Sequence, residues 1–97
     1  MKDFKFKIYI EGKIFSNSQK AFTLENNKKL GERKDNGIIY SAFEALYLVE
    51  THNAEIIKNN KTLSHEQIIK ILSKKDKAFL TKYLVFKELR KKGYIVK

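Results

Sequence analysis

The segment Lys77–Lys92 limits the possible folds of this chain more than any other. Phe79, Leu80, Tyr83, Leu84, Phe86 and Leu89 recur there at helical spacing, but they cover more than the single apolar stripe of an ordinary surface helix. A helix of this kind must be buried on two sides or lie against a partner. At 1.5 Å rise per residue it would be about 25 Å long, the longest element of the chain. Asp76 is placed to cap its start, and Gly93 to follow its end as the C′ residue. After Gly93 a short strand-like run begins, Tyr94-Ile95-Val96-Lys97.

The preceding residues supply a sheet and further helices for this segment to pack against. Phe4, Phe6, Ile8 and Ile10 alternate with Lys5, Lys7 and Tyr9, the period of a strand with one buried face. Glu11-Gly12 marks a turn, and Lys13-Ile14-Phe15 returns as a second strand. Asn17–Leu30 is polar apart from Ala21, Phe22 and Leu24, which suits a short helix capped by Ser16 or Ser18. From Gly31 to Gly37 the residues are charged and turn-like, and Ile38-Ile39-Tyr40 reads as a strand. Ser41 and Glu44 have the S-x-x-E spacing of a capping box, opening a helix that carries Ala42, Ala45, Leu46 and Val49 to near Thr51–Asn53. Glu55–Lys58 fits a strand and Asn59-Asn60-Lys61 a turn, and Ser64 with Gln67 forms a second capping box for a helix to about Ser73.

This order predicts an α+β fold, a small mixed or antiparallel sheet with three to four helices on one side. At 97 residues there is room for one core, burying roughly 60–70% of the unfolded surface. The chain divides into an α+β unit over 1–75 and a helix with a strand over 76–97, expected to form one compact unit. The absence of cysteine excludes a disulfide framework and a cysteine nucleophile. No apolar run approaches the roughly 20 residues of a membrane span, so the reading is of a cytoplasmic protein without a membrane partner.

The net charge of +10 is uneven, with nine Lys/Arg against Asp76 and Glu88 between Lys74 and Lys97. Lys82, Lys87, Arg90, Lys91 and Lys92 are therefore candidate RNA or phosphate contacts, since such a patch attracts polyanions. Arg90, Lys91 and Lys92 also suit the C-terminal end of a helix dipole, which explains them without RNA. Tyr83, Leu84, Phe86, Tyr94, Ile95 and Val96 are the candidate partner interface. Tyr40, Tyr83 and Tyr94 lie near basic residues and could stack on bases, although Tyr40 and Tyr83 also fall on apolar faces.

Nothing in the chain reads as an active site. His52 and His65 have no neighbouring ligand pattern and are assigned surface or capping roles. The glutamates are dispersed, and G-x-S-x-G, G-x-x-x-x-G-K-[ST] and G-x-G-x-x-G are all missing. No metal or cofactor is expected.

Three segments carry a resemblance to a known family. Ser41-Ala-Phe-Glu-Ala-Leu-Tyr-Leu-Val-Glu50, Thr62-Leu-Ser-His-Glu-Gln67 and Lys82-Tyr-Leu-Val-Phe-Lys-Glu-Leu-Arg-Lys-Lys-Gly-Tyr-Ile-Val-Lys97 stand in the order and spacing that resemble the archaeal tRNA-intron splicing endonucleases. The match spans Gly37–Lys97, while Met1–Asn36 fits only as a β-rich start. The resemblance implies a non-catalytic N-terminal-type domain followed by the first helix and strand of a catalytic domain. The family's catalytic Tyr, His and Lys, which leave a 2′,3′-cyclic phosphate, would lie beyond Lys97 and have no counterparts in this chain. By itself the chain is therefore expected not to cleave RNA. Its implied role is assembly and positioning for removal of introns from precursor tRNA, with a catalytic subunit or a second copy of itself as partner and precursor tRNA bound through the assembly. The alternative reading of the basic residues is a stand-alone RNA- or DNA-binding module.

Overall fold

The computed structural model describes residues 6–34, 36–74 and 76–93. Its elements are β1 (Lys7–Glu11), β2 (Lys13–Ser16), α1 (Gln19–Lys28), β3 (Glu32–Lys34), β4 (Gly37–Ile39), α2 (Ala42–His52), β5 (Glu55–Lys58), β6 (Lys61–Thr62), α3 (His65–Leu72) and α4 (Phe79–Lys91). The strands form one mixed sheet in the order β3-β4-β2-β1-β5-β6. Only β1 and β5 are parallel among these neighbours, as expected where a helical crossover separates two strands. The α+β class read from the sequence is the fold observed.

The alternation of β1 sorts the sheet into two faces. Ile8 and Ile56 are register partners, as are Ile10 and Ile14, and Ser16 and Ile38. This face carries the core, with Ile8, Ile38 and Ile56 fully buried. Ser16 is buried there too, and its hydroxyl donates to the Lys7 carbonyl at 2.5 Å, which removes the cost of an unpaired polar group. Arg33, the partner of Ile38, contacts Phe22 and Glu25 of α1, so α1 lies on this side. The opposite face carries Tyr9, Phe15, Ile39 and Ile57, which are only partly buried.

Both capping boxes form. Ser41 Oγ accepts from the Glu44 amide while the Glu44 side chain accepts from the Ser41 amide. Ser64 and Gln67 do the same at the start of α3. Ser18, one of the two residues proposed, caps α1.

Three expectations need correction. The charged stretch after Gly31 contains β3, whose three residues are all exposed. Its backbone pairs with β4 on the sheet edge, and backbone pairing does not require apolar side chains. Lys61 is not part of a turn but pairs with Lys58 in β6. Asn59 and Asn60, with φ of 53° and 63°, make the two-residue turn between them, as the tightest hairpins require. Finally, Asp76 does not cap the last helix. Its Oδ1 accepts from the Ala78 amide at 2.9 Å, which closes a turn before the helix, and α4 begins at Phe79 with Ala78 as an N-cap lacking a side-chain bond. At 13 residues, α4 is about 20 Å long instead of 25 Å. The strand expected at Tyr94–Lys97 lies outside the described residues.

Candidate interaction surface on the last helix

α4 has two apolar sides, as its sequence requires, and only one of them is covered. Phe79, Tyr83 and Phe86 are each 3% exposed. Phe43 of α2 stacks on Phe79 and Phe86 with centroids 5.1 and 5.8 Å apart, and Tyr47 meets Phe86 edge-on at 5.9 Å. These geometries add to simple area burial. On the other side Leu80, Leu84 and Val85 are 47%, 61% and 59% exposed. Leu80 and Leu84, four residues apart, lie one above the other on the helix. Of the residues expected at a partner interface, Tyr83 and Phe86 therefore point into the chain's own core, because α2 supplies the aromatic surface they need. Leu84 remains on the outer side, and Tyr94, Ile95 and Val96 lie outside the described residues.

The basic residues of α4 are distributed among different tasks. Lys82 donates to Asp76 at 2.9 Å and Lys87 to Glu50 at 2.9 Å. Lys91 and Lys92 are exposed. Arg90 departs from the expected phosphate contact: its side chain is only 6% exposed, and it donates to the carbonyls of Lys28 and Lys29 at 2.8 and 3.0 Å. These carbonyls end α1, where a cation is favoured by both hydrogen bonding and the helix dipole. Arg90 stands in the last turn of α4, as read from the sequence, and its side chain serves the end of α1 as well.

Two glutamates hold this arrangement together: Glu44, which the sequence marks as a capping residue, and Glu50, which it gives only as one of the dispersed carboxylates. Glu44, 3% exposed, uses its second oxygen to accept from the Gly31 amide at 2.7 Å. The capping box pointed to Glu44, but no local signal reveals a partner thirteen residues away. Glu50 accepts from Tyr83 Oη at 2.7 Å and from Lys87, and His65 Nε2 lies 3.1 Å from its other oxygen. Partial burial raises the Glu50 carboxyl, but the hydrogen bonds from Tyr83, Lys87 and His65 outweigh this and hold it below the ordinary carboxylate value. Burial first, and then the bond to Glu50, push the Tyr83 phenol above its usual range. His52 sits at the end of α2 beside Thr51, and burial, followed by Lys20 and Lys28, lowers its pKa.

Among the described residues no group of three or more His, Cys, Asp or Glu is placed to hold a metal ion. Nor is any described helix long and apolar enough to cross a membrane.

No family model matches the chain. Individual relatives do. It is 41% identical over 93 residues to a tRNA-splicing endonuclease of Pyrococcus abyssi, covering 94% of this chain and 55% of that protein. It is 40% identical over 86 residues to the tRNA-splicing endonuclease of Thermococcus onnurineus, covering 88% and 50%. With that of Methanococcus vannielii the identity is 42% over 73 residues, covering 74% and 41%. A match over 93 residues reaches well into Met1–Asn36, where the motifs alone had shown only a general pattern. The chain spans about half the length of the Pyrococcus and Thermococcus relatives. Over the stretch it shares with them, the chain belongs to the archaeal tRNA-splicing endonuclease family.

Proposed function

We propose that this chain is a non-catalytic, N-terminal-type part of an archaeal tRNA-splicing endonuclease, acting in the cytoplasm in assembly and positioning during removal of introns from precursor tRNA. The observation that carries this reading is the bare side of α4. Leu80, Leu84 and Val85 are exposed on a helix whose opposite side is locked to α2 by stacked rings. A rigidly held helix with an uncovered aliphatic side is suited to receive another folded surface. A catalytic half of the enzyme, or a second copy of this chain, would cover it. The relatives' greater length is in keeping with a catalytic half beyond the shared stretch.

The rival reading, a phosphate-tracking stripe along α4, has less support. Arg90 is occupied by the end of α1, while Lys82 and Lys87 are tied to Asp76 and Glu50. Light scattering of the chain alone and mixed with a catalytic tRNA-splicing endonuclease subunit tests the proposal, with cleavage of intron-containing tRNA assayed in parallel. A mixed assembly whose cleavage depends on this chain is the expected result. A chain that neither joins the subunit nor alters cleavage would overturn it.

A further inference from the structure

The helices pack against one face of the sheet, and the other face has its own chemistry. Register places Ile39, Phe15, Tyr9 and Ile57 in one row across β4, β2, β1 and β5. These four are partly buried, yet none belongs to the core or packs against it. Tyr9 and Phe15 shelter each other, with centroids 5.7 Å apart. At one end of the row a cleft of about 200 Å³ opens beside Phe15 and Ile39, walled by Lys13, Lys34, Asn17 and Asn36. Its described lining holds two cations, two amides and an aromatic ring, and Glu32, the register partner of Ile39, stands next to it on the same face. Lys13 Nζ lies 5.6 Å from the Phe15 ring centre.

We infer that this face, on which no described helix packs, binds single-stranded RNA, with an unpaired base stacked on Phe15 and its phosphates held by Lys13 and Lys34. Every base has a π-face, so aromatic rings on an open sheet accept bases with little regard to sequence. Lys13, exposed on a flexible stem, gives up the ring to a base and keeps its charge beside the phosphate. Asn17 and Asn36 offer both donors and acceptors to a base edge. The occupant is not a second copy of this sheet. Three strand spacings make the apolar row about 14 Å wide, about half the side of a square patch of the roughly 800 Å² per partner that a stable protein interface buries. Pairing two such faces would also bring Lys7, Glu11, Lys13, Glu32, Lys34 and Glu55 of each copy into the contact, where charged residues are depleted. The inference rests on the sheet face alone and not on the assembly role of α4.

The test is fluorescence anisotropy of a labelled, unstructured RNA octamer titrated with the full chain at several salt concentrations, together with amide chemical-shift mapping. The expected result is salt-sensitive binding with shifts at Phe15, Asn17, Asn36 and Ile39. Phe15→Leu, which keeps apolar bulk without the ring, weakens binding at least about fivefold. The double variant Lys13→Glu with Lys34→Glu lowers the slope of log affinity against log salt by roughly 1.4. Thermal unfolding confirms that each variant is folded. Shifts confined to α4, or affinity unchanged in both variants, would overturn the inference. So would a dimer that Phe15→Leu dissolves while RNA leaves the sheet unaffected, because the occupant would then be a second copy. Failure of α4 to recruit a catalytic subunit would leave this result intact, so the two ideas fail separately.

Discussion

Arg90 and Glu44 meet in the interior of the chain, with Nη2 of the arginine 3.8 Å from Oε2 of the glutamate and their side chains only 6% and 4% exposed. The pair joins three helices. Glu44 starts α2 and anchors Gly31, while Arg90, near the end of α4, caps the last carbonyls of α1. Removing one partner of a buried pair leaves the other charge without compensation. Arg90→Ala is therefore expected to lower stability by about 3 kcal/mol, measured by urea unfolding. Arg90→Lys should restore only part of this, since an ammonium cannot span two carbonyls as a planar fork does.

Gly31 and Gly93 both have positive φ, 86° and 93°, but their surroundings differ. A Cβ at Gly31 would collide with the Ile38 side chain and come within 2.7 Å of the Tyr40 ring, whereas at Gly93 nothing lies within 4 Å. Gly93→Ala should cost about 1 kcal/mol from backbone strain alone. Gly31→Ala adds overpacking of about 1–3 kcal/mol, and the difference in melting temperature between the two variants checks the argument.

The contrast between Glu44 and Glu50 shows how much of this molecule is written locally. Ser41 and Glu44, and Ser64 with Gln67, were legible because a capping box is a contact between residues three apart. The strand alternation of Ile8 and Ile10 and the wide apolar arc of α4 were legible for the same reason, since each is a periodicity. Glu50 was not, because its partners stand 15, 33 and 37 residues away and meet only after α2, α3 and α4 have packed. Nor could the arc reveal which of its sides would face inward. That choice is made by Phe43 and Tyr47, which draw Phe79 and Phe86 onto α2, with Tyr83 stacked on both, and leave Leu84 outside. β3 is not legible in the sequence, because an edge strand with Glu32, Arg33 and Lys34 as its side chains has the composition of a loop.

Acid should loosen the Glu50 junction. The carboxyl titrates below its ordinary value of 4.5 in the folded chain, so its contribution is present above the unfolded pKa and is lost as pH falls through the folded one. Glu50→Gln is expected to be less stable than the parent at pH 7, and the gap should close progressively as pH falls below about 4.5. Tyr83→Phe removes one of the bonds and should cost about 1 kcal/mol at neutral pH, with a shallower acid dependence than the parent. Thermal unfolding followed across this pH range would reveal a constant gap if Glu50 did not act in this way.

The two sides of α4 make opposite predictions for neighbouring substitutions. Leu84 is 61% exposed and Phe86 3%, although both lie in the same apolar arc of the sequence. Phe86 closes a ring cluster with Phe43, Tyr47 and Tyr83, and Phe86→Ala should cost about 3–5 kcal/mol through the cavity it leaves. Leu84→Asp, by contrast, disturbs no buried group and should change stability by no more than about 0.5 kcal/mol. If the outer side of α4 seats a catalytic subunit, Leu84→Asp abolishes the mixed assembly in light scattering while the melting temperature of the chain stays put. A Leu84→Asp variant that assembled as well as the parent would move the contact off this helix, whereas one that failed to fold would show that the outer side belongs to the core after all.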